Sequence, residues 1–499
     1  MKLQEYPELN KMDEPATTRY SNKFLHYFKY VTVEPTMLLY MMAFMTTNVA
    51  EQSFYVYKTC TINHGYNKTI CDNINAPEYK NISKEVQAST AKFHVWNNIA
   101  GHVTPIILAL FIGAWSDKRG RKLPLLIGLF GKLIFSLMII VNTLQPSWPV
   151  EYVVFTATLP SALTGADVTI FATAFAYLVD VSSVSNRTMR VTILEVCYLA
   201  SMPLGIAFGA YLFKFVFNRS YTYMFVVNSI LMVLAILYTS LRLSWRSNSM
   251  QRPLSEASNK FLDFFDYNHA VSTFGMLSQY RPGNKRTYLW LLLIMMALYT
   301  FQRNERDIML GYCYLTFHWN DGQYSIFKTI QSGLQDIILL LAIPIMSKIF
   351  KWRDTIIIMI GAIAHVMGRI FYSTAVDPYV FYIGGVFAAV GPIVAPVIRS
   401  LVSKTVSTSE KGKAFAVLAV ADNAVPLIAG TSYNALYYFV LPYNPGYVFF
   451  LTIATQIGVF LLATYIHSRT HRNEFEIEIP PPKPILHTEN DLLQEPNLE

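Results

Sequence analysis

The sequence predicts an all-α membrane protein, with twelve transmembrane helices in two six-helix bundles. Composition is the first reason. Of 499 residues, 53% are hydrophobic and only 14% charged, where a soluble chain carries about a quarter charged residues. Length is the second. A helix needs roughly 20 apolar residues to cross a bilayer, and the chain offers about a dozen such runs. Their division is the third. Six runs precede and six follow residues 242–286, a polar stretch with seven Lys/Arg against three acids. A six-plus-six division about a basic cytosolic linker is what a two-bundle transporter requires. The net charge of +8 lies in loops between the runs. It therefore sets orientation in the bilayer rather than marking a nucleic-acid partner.

Residues 1–35 are polar, with no apolar core before Thr36. They read as a cytosolic tail rather than a cleavable signal. Residues 36–241 form the first bundle, with spans at 36–57, 93–114, 123–144, 152–179, 191–217 and 221–241. The loop 58–92 holds two glycosylation triplets, Asn67-Lys68-Thr69 and Asn81-Ile82-Ser83. A sequon is used only outside the cell or in a lumen, so this loop faces out. Asn186-Arg187-Thr188 also fits but falls in a short basic cytosolic loop, where it is unused. Residues 287–468 form the second bundle, with spans at 287–315, 324–350, 354–375, 379–402, 414–440 and 446–467. The tail 469–499 starts basic, passes Pro480-Pro481-Pro482 and turns acidic, a composition of disorder. Both termini are expected in the cytosol.

One stretch organises the chain: Gly113-Ala114-Trp115-Ser116-Asp117-Lys118-Arg119-Gly120-Arg121-Lys122. Its glycines suit a tight turn, and its cations suit a cytosolic loop. It resembles the signature loop between spans 2 and 3 of major facilitator transporters, Gly-x-x-x-Asp-Arg/Lys-x-Gly-Arg-Arg/Lys, at every fixed position. That resemblance implies a conformational latch of Gly113, Asp117, Gly120 and Arg121, with Asp117 at a helix end and Arg121 on an acid at the end of span 4, Asp180. Residues 348–354, where a second copy would fall, keep charge but not glycine.

A closer resemblance lies elsewhere. Asp180-Val181-Ser182-Ser183, Asn186-Arg187-Thr188-Met189-Arg190 and Leu194-Glu195 are similar to the loop between spans 4 and 5 of the proton-coupled folate transporter and its solute-carrier relatives (solute carrier family 46). Pro396-Val397-Ile398-Arg399-Ser400, Ser409-Glu410-Lys411-Gly412-Lys413 and Val33-Glu34-Pro35 resemble the same family. The resemblance implies a proton-coupling role for Glu195 and a transport role for Arg399. It also expects a coupling histidine near Gln302, which cannot titrate here. It further implies a disulfide from the first outer loop to the loop after span 7, Cys71 to Cys313. Cys60 to Cys71 is the local alternative.

Ionisable residues inside spans are costly and are functional candidates by default. Glu195 and Asp167 are the candidates for carrying protons. Asp167 lies about 20 Å of helix from Asp180 at 1.5 Å per residue, well inside the bilayer. Arg399, Asp336, Asp422 and the span 7 cluster Arg303-Asn304-Glu305-Arg306-Asp307 are the candidates for holding solute. Arg303 can meet Asp307 at helical spacing. The cluster is therefore either internally paired or turned to the substrate path. Gly391-Pro392 and Pro396 are expected to bend span 10 beside Arg399.

No nucleophile elbow, His-Glu-x-x-His pair or phosphate loop occurs, so no enzyme, metal or cofactor is expected. The expected function is secondary transport by alternating access. The expected cargo is a small organic solute such as a folate-like anion, moved with protons. Cyclic dinucleotides or muropeptides are the alternative cargo, and a non-transporting receptor or scaffold is the alternative class. The plasma membrane is expected, with an endosomal or lysosomal membrane as the alternative. Oligomeric state is left open.

Overall fold

The structure is a computed structural model. It describes residues 31–182, 187–247, 251–256, 263–265, 271, 284–406 and 411–470. Both tails and most of the linker lie outside the described residues, as do Asn186 and the side chains of Arg187, Thr188, Asp117 and Glu195.

Among the described residues, twelve spans follow one another. Span 1 is Glu34–Lys58, span 2 is Lys80–Arg119 and span 3 is Lys122–Leu144. Span 4 is Val154–Asp180, broken into Val154–Thr158, Leu159–Ala162 and Ala166–Asp180. Span 5 is Arg187–Tyr211 with a wide turn at Leu212–Val216, and span 6 is Tyr221–Arg242. Span 7 is Lys285–Phe301 and Arg306–Phe317, joined by a 3₁₀ turn at Gln302–Glu305. Span 8 is Asp321–Ser347 and span 9 is Asp354–Thr374. Span 10 is Pro378–Val402, with a 3₁₀ turn at Gly391–Ile393. Span 11 is Lys411–Val440 and span 12 is Phe449–Arg469. Eight of these helices are long and apolar enough to cross a membrane by composition alone. Spans 1, 2, 7 and 11 complete the set and carry more polar residues.

Span 2 starts earlier than its apolar run. Its helix begins at Lys80, so the outer loop 58–92 is shorter than expected. Its first turns are polar and stand above the apolar segment, which hydropathy alone cannot detect. Asn81 is exposed in that first turn, and exposed Asn67 caps the short helix Lys68–Asp72 by accepting from Thr69 N–H. The expected disulfide is also corrected. Cys60 bonds Cys71 across 11 residues, with Cα atoms 5.8 Å apart, while Cys313 is buried and free. The short helix folds Cys71 back over the end of span 1, within the reach a disulfide requires.

The two bundles share an apolar core at one end. One apolar cluster joins Val49, Val56, Val86 and Ile206 of the first bundle to Ile308, Tyr324, Phe327 and Tyr433 of the second. It includes both disulfide cysteines, so it marks the outer half. At the end carrying the signature loop, each bundle has its own core. One is built around Met37, Leu125, Tyr177 and Ile236, the other around Leu292, Ile357, Ile398 and Ile466. The outer core is thus shared by both bundles, while each bundle keeps a separate inner core. Glycines set the close approaches within a bundle: a Cβ on Gly209 of span 5 would lie 2.0 Å from the Thr46 carbonyl of span 1.

Candidate solute and proton site

Three spans are interrupted near mid-depth, and each interruption lies beside a candidate residue. In span 4 the break is Gly165, at φ +78°, where a Cβ would meet Thr169 Oγ1 at 2.0 Å. Only glycine accepts that backbone without strain. Asp167 then sits in the first turn of Ala166–Asp180, where the helix dipole favours an anion. In span 7 the break is the charged cluster itself. In span 10 it is Gly391-Pro392, as expected, and a Cβ on Gly391 would strike the His365 ring at 2.2 Å. Broken helices at mid-depth are where transporters of this architecture bind solute.

In the first bundle, Asp167 is held by two groups. Lys132 Nζ of span 3 lies 2.9 Å from Asp167 Oδ1, and the Tyr40 hydroxyl of span 1 donates to the same oxygen. Lys132 also stands 5.5 Å from the Phe44 ring centre and 5.4 Å from that of Phe135. Across the divide, the Arg306 guanidinium lies 5.3 Å from the Phe44 ring centre. Glu51 of span 1 accepts from Tyr55 and lies within electrostatic range of both Lys132 and Arg306.

In the second bundle, Arg399 Nη2 lies 3.0 Å from Asp422 Oδ2, and Thr300 donates to the other oxygen at 2.9 Å. Arg303 lies within range of Asp422 and of Tyr198 on span 5, so it points between the bundles. Of the two alternatives for the cluster, the pairing of Arg303 with Asp307 is not formed. Asp307 accepts from Asn98 of span 2 at 3.2 Å and lies 3.8 Å from Arg306. The 3₁₀ turn shifts Arg303 off the face it would share with Asp307 in a continuous helix.

Glu305 does not face the path. It is buried inside the second bundle on Arg369 of span 9, with Nη2–Oε2 at 2.8 Å and Nε at 3.2 Å from both oxygens. Thr452 of span 12 donates to Glu305 as well. Arg369 also donates to Gln302 Oε1 at 3.1 Å and to His365 Nδ1 at 2.8 Å. The position where the resemblance expects a titrating histidine thus holds a neutral acceptor on a buried ion pair. Asp336 is buried in span 8, and neither of its carboxylate oxygens has a hydrogen-bond partner among the described residues.

The latch is partly built. Arg121 Nε lies 3.2 Å from Asp180 Oδ2, and Arg121 Nη1 donates to the Gly113 carbonyl at 3.2 Å. Gly113 is not in a turn; it lies inside span 2, and a Cβ there would meet nothing within 4 Å. Gly120 does turn the chain, at φ +109°, against the Trp245 carbonyl. The linker docks on this loop. Asp263 takes Lys118 Nζ and Arg119 Nη2 at 2.8 Å each, and Trp115 Nε1 donates to it at 3.1 Å. These cations hold the Asp263 carboxyl well below the usual carboxylate range.

Lys132, Glu51, Arg369 and His365 were not singled out from the sequence. The signal that marked Asp167, an ionisable residue inside an apolar run, marks Lys132, Glu51 and Arg369 equally.

Two bundles and mid-depth helix breaks flanked by paired charges define a multi-pass secondary transporter of the alternating-access class. The sequence profile of the Major Facilitator Superfamily matches residues 95–431, and the chain belongs to that family. Among curated proteins it is 22% identical to the "Probable peptidoglycan muropeptide transporter SLC46" of Drosophila melanogaster, over 88% of this chain and 86% of that one. It is 26% identical to the "Lysosomal proton-coupled steroid conjugate and bile acid symporter SLC46A3" of Gallus gallus (85% and 91%). It is 25% identical to the "Proton-coupled folate transporter" of Rattus norvegicus (80% and 83%). The distant relationship to the solute carrier 46 group therefore runs through most of the chain. Among solved structures, the D-xylose-proton symporter superposes with a TM-score of 0.62 at 14% identity, covering 90% of this chain and 99% of that one. The human organic anion transporter MFSD10 superposes with a TM-score of 0.59 at 13% identity (86% and 97%).

Proposed function

We propose that this chain imports a small organic anion together with protons. The observation that carries the proposal is the placing of Arg303 and Arg306 at the divide between the bundles, with Arg399 half-exposed on Asp422 in the second bundle. Guanidinium keeps its charge in proteins, so these arginines, now opposite Asp422 and Asp307, are permanent cations that a negative cargo can take. The relatives named for folate, for steroid conjugates and bile acids, and for muropeptides support an organic cargo. A folate-like anion is our first choice, and a bile acid, muropeptide or cyclic dinucleotide is the alternative. Glu195 and Asp167 carry the protons in this reading, with Asp336 and Asp422 lining the route. Gln302 cannot share that task.

The proposal has residues 36–241 and 287–468 rocking about the cytosolic linker 242–286, with the Arg121–Asp180 latch alternately made and released. It has the protein at the plasma membrane, with an endolysosomal membrane as the alternative; surface biotinylation separates the two. The test is uptake of labelled folate and labelled taurocholate by cells expressing the chain, at about pH 5.5 and about pH 7.4. Accumulation that rises at acid pH, and loses that rise in Glu195→Gln, supports the reading. Surface protein that takes up neither anion at either pH removes this cargo class.

A further inference from the structure

The Lys132–Asp167 pair has a chemistry that the arginines do not. Lys132 sits ten residues into span 3, about 15 Å along the helix from Lys122. Its side chain is 16% exposed, and that of Asp167 is 44% exposed. The acid is therefore the open face of the pair, and the lysine is reached through it. Phe44 lies against Lys132 on one side of the divide and against Arg306 on the other. Two cations, one from each bundle, thus stand against a single ring.

We infer that Lys132 holds the anionic group of the cargo in place of Asp167, and that the displaced Asp167 takes up the coupled proton. The inference rests on the anion reading above. Charge balance drives the exchange. With the cavity empty, Lys132 is neutralised by Asp167. A cargo carboxylate or sulfate that takes Lys132 leaves Asp167 as an unpaired carboxylate, which is costly away from bulk water. A hydronium ion in the open cavity then gives its proton to an Asp167 oxygen and leaves as water. One anionic group and one proton enter this pair together, and the charge of the pair is unchanged.

The groups around the pair are compatible with that exchange. Tyr40 and Glu51 come from span 1, Arg306 and Asp307 from span 7, and Tyr198 from span 5. The Tyr40 hydroxyl remains as a partner for Asp167 in either protonation state, since a hydroxyl both donates and accepts. Arg306 offers the anion a second contact from the opposite bundle. A bound anion would then tie the two bundles together by direct contact with both cations.

The test uses the purified full chain in weakly buffered detergent. Folate and taurocholate are titrated in, and both binding and proton uptake are measured. The wild type is expected to bind one of them with uptake of protons. Asp167→Asn should bind that anion at least as tightly, because its competitor is gone, while taking up about one proton fewer per anion. Lys132→Gln should lose about tenfold or more in affinity, and Lys132→Arg should recover most of it because the cation is restored. The double variant Lys132→Gln/Asp167→Asn removes the pair without leaving a lone charge, and it should also bind weakly. The inference is overturned if Asp167→Asn takes up as many protons as wild type. It is overturned equally if Lys132→Gln binds with unchanged affinity. If the wild type binds neither anion, the cargo reading falls and takes the inference with it. If the wild type binds and the variants match it, the inference alone falls.

Discussion

Removing Arg369 should destabilise the second bundle more than any exposed substitution, and removing Glu305 with it should reverse most of the damage. The two side chains are 5% and 4% exposed and share three contacts at 2.8–3.2 Å. Without Arg369, Glu305 keeps only the Thr452 hydroxyl among the donors described. Deleting one member of a buried pair costs about 3–5 kcal/mol, whereas replacing both by apolar groups of similar volume is often neutral. At roughly 2–4 °C per kcal/mol for a unit of this size, Arg369→Met should lower the apparent unfolding midpoint by roughly 6–20 °C. Arg369→Lys should not rescue it, because an ammonium cannot reproduce the forked contact. Glu305→Met/Arg369→Met should lie well above Arg369→Met. Cys313, buried and unpaired in span 7, gives the assay: a thiol-reactive dye reports its exposure on heating. A double variant whose loss equals the sum of the two single losses would refute the coupling.

The other predictions concern the ends of the molecule. Cys60→Ser, Cys71→Ser and the double should cost the same amount, about 3 kcal/mol for a loop of this size, and Cys313 should be alkylated only after unfolding. A mass spectrum of the non-reduced protein linking Cys71 to Cys313 would contradict this. Linker docking should not respond to acid in the physiological range. Arg119 and Lys118 depress the Asp263 carboxyl below its unfolded value, so the stabilisation is fully present above about pH 4 and is lost only as pH falls through the depressed folded value. Limited proteolysis of the linker should therefore proceed equally at about pH 5.5 and about pH 7.4; release at the lower pH would show that the docking depends on another group. Gly209→Ala should destabilise by roughly 1–3 kcal/mol through its clash with the span 1 backbone, whereas Gly113→Ala, with open space around it, should leave the unfolding midpoint near that of wild type. A large loss in Gly113→Ala would mean that the signature glycine is packed more tightly than it is here.

The spans were legible because burial in lipid demands long apolar runs, and the latch because its motif is local. Arg121 and Asp180 could be paired on paper since each closes a recognisable segment. Arg369 and Glu305 could not: 64 residues separate them, and nothing in either neighbourhood names the other. The same distance problem hid Lys132 from Asp167. Each carries the mark of an ionisable residue in an apolar run, but only packing of span 3 on span 4 makes them a pair. The disulfide failed for a different reason. Two outer cysteines 11 residues apart compete with a third that is far away in sequence, and the short helix Lys68–Asp72 decides between them. The start of span 2 was misplaced because a helix can continue past the membrane with no change in hydrogen bonding, while the hydropathy signal stops at the lipid.

The distribution of strong and weak contacts bears on how such a protein can move. The described ion pairs Lys132–Asp167, Arg121–Asp180, Arg369–Glu305 and Arg399–Asp422 each join residues of one bundle. The polar contacts that cross the divide among the described residues are hydrogen bonds: Ser53 to Asp321 at 2.8 Å, Asn98 to Asp307 at 3.2 Å, and two between Asn75 and His318, Asn75 Nδ2 to the His318 carbonyl at 3.1 Å and His318 Nδ1 with the Asn75 carbonyl at 2.8 Å. Each is worth about 0.5–3 kcal/mol, the upper end where the acceptor is charged, and water can replace it when the outer side opens. Rocking the bundles therefore need break none of the described mid-depth ion pairs, the Arg121–Asp180 latch being the one that the proposed cycle releases. The groups best placed to change that balance are Lys132 and Arg306, which approach the same Phe44 ring from opposite bundles. An anion lodged there would add the cross-bundle ionic contact that the empty protein lacks among its described residues, so the cargo itself would decide when the bundles close around it.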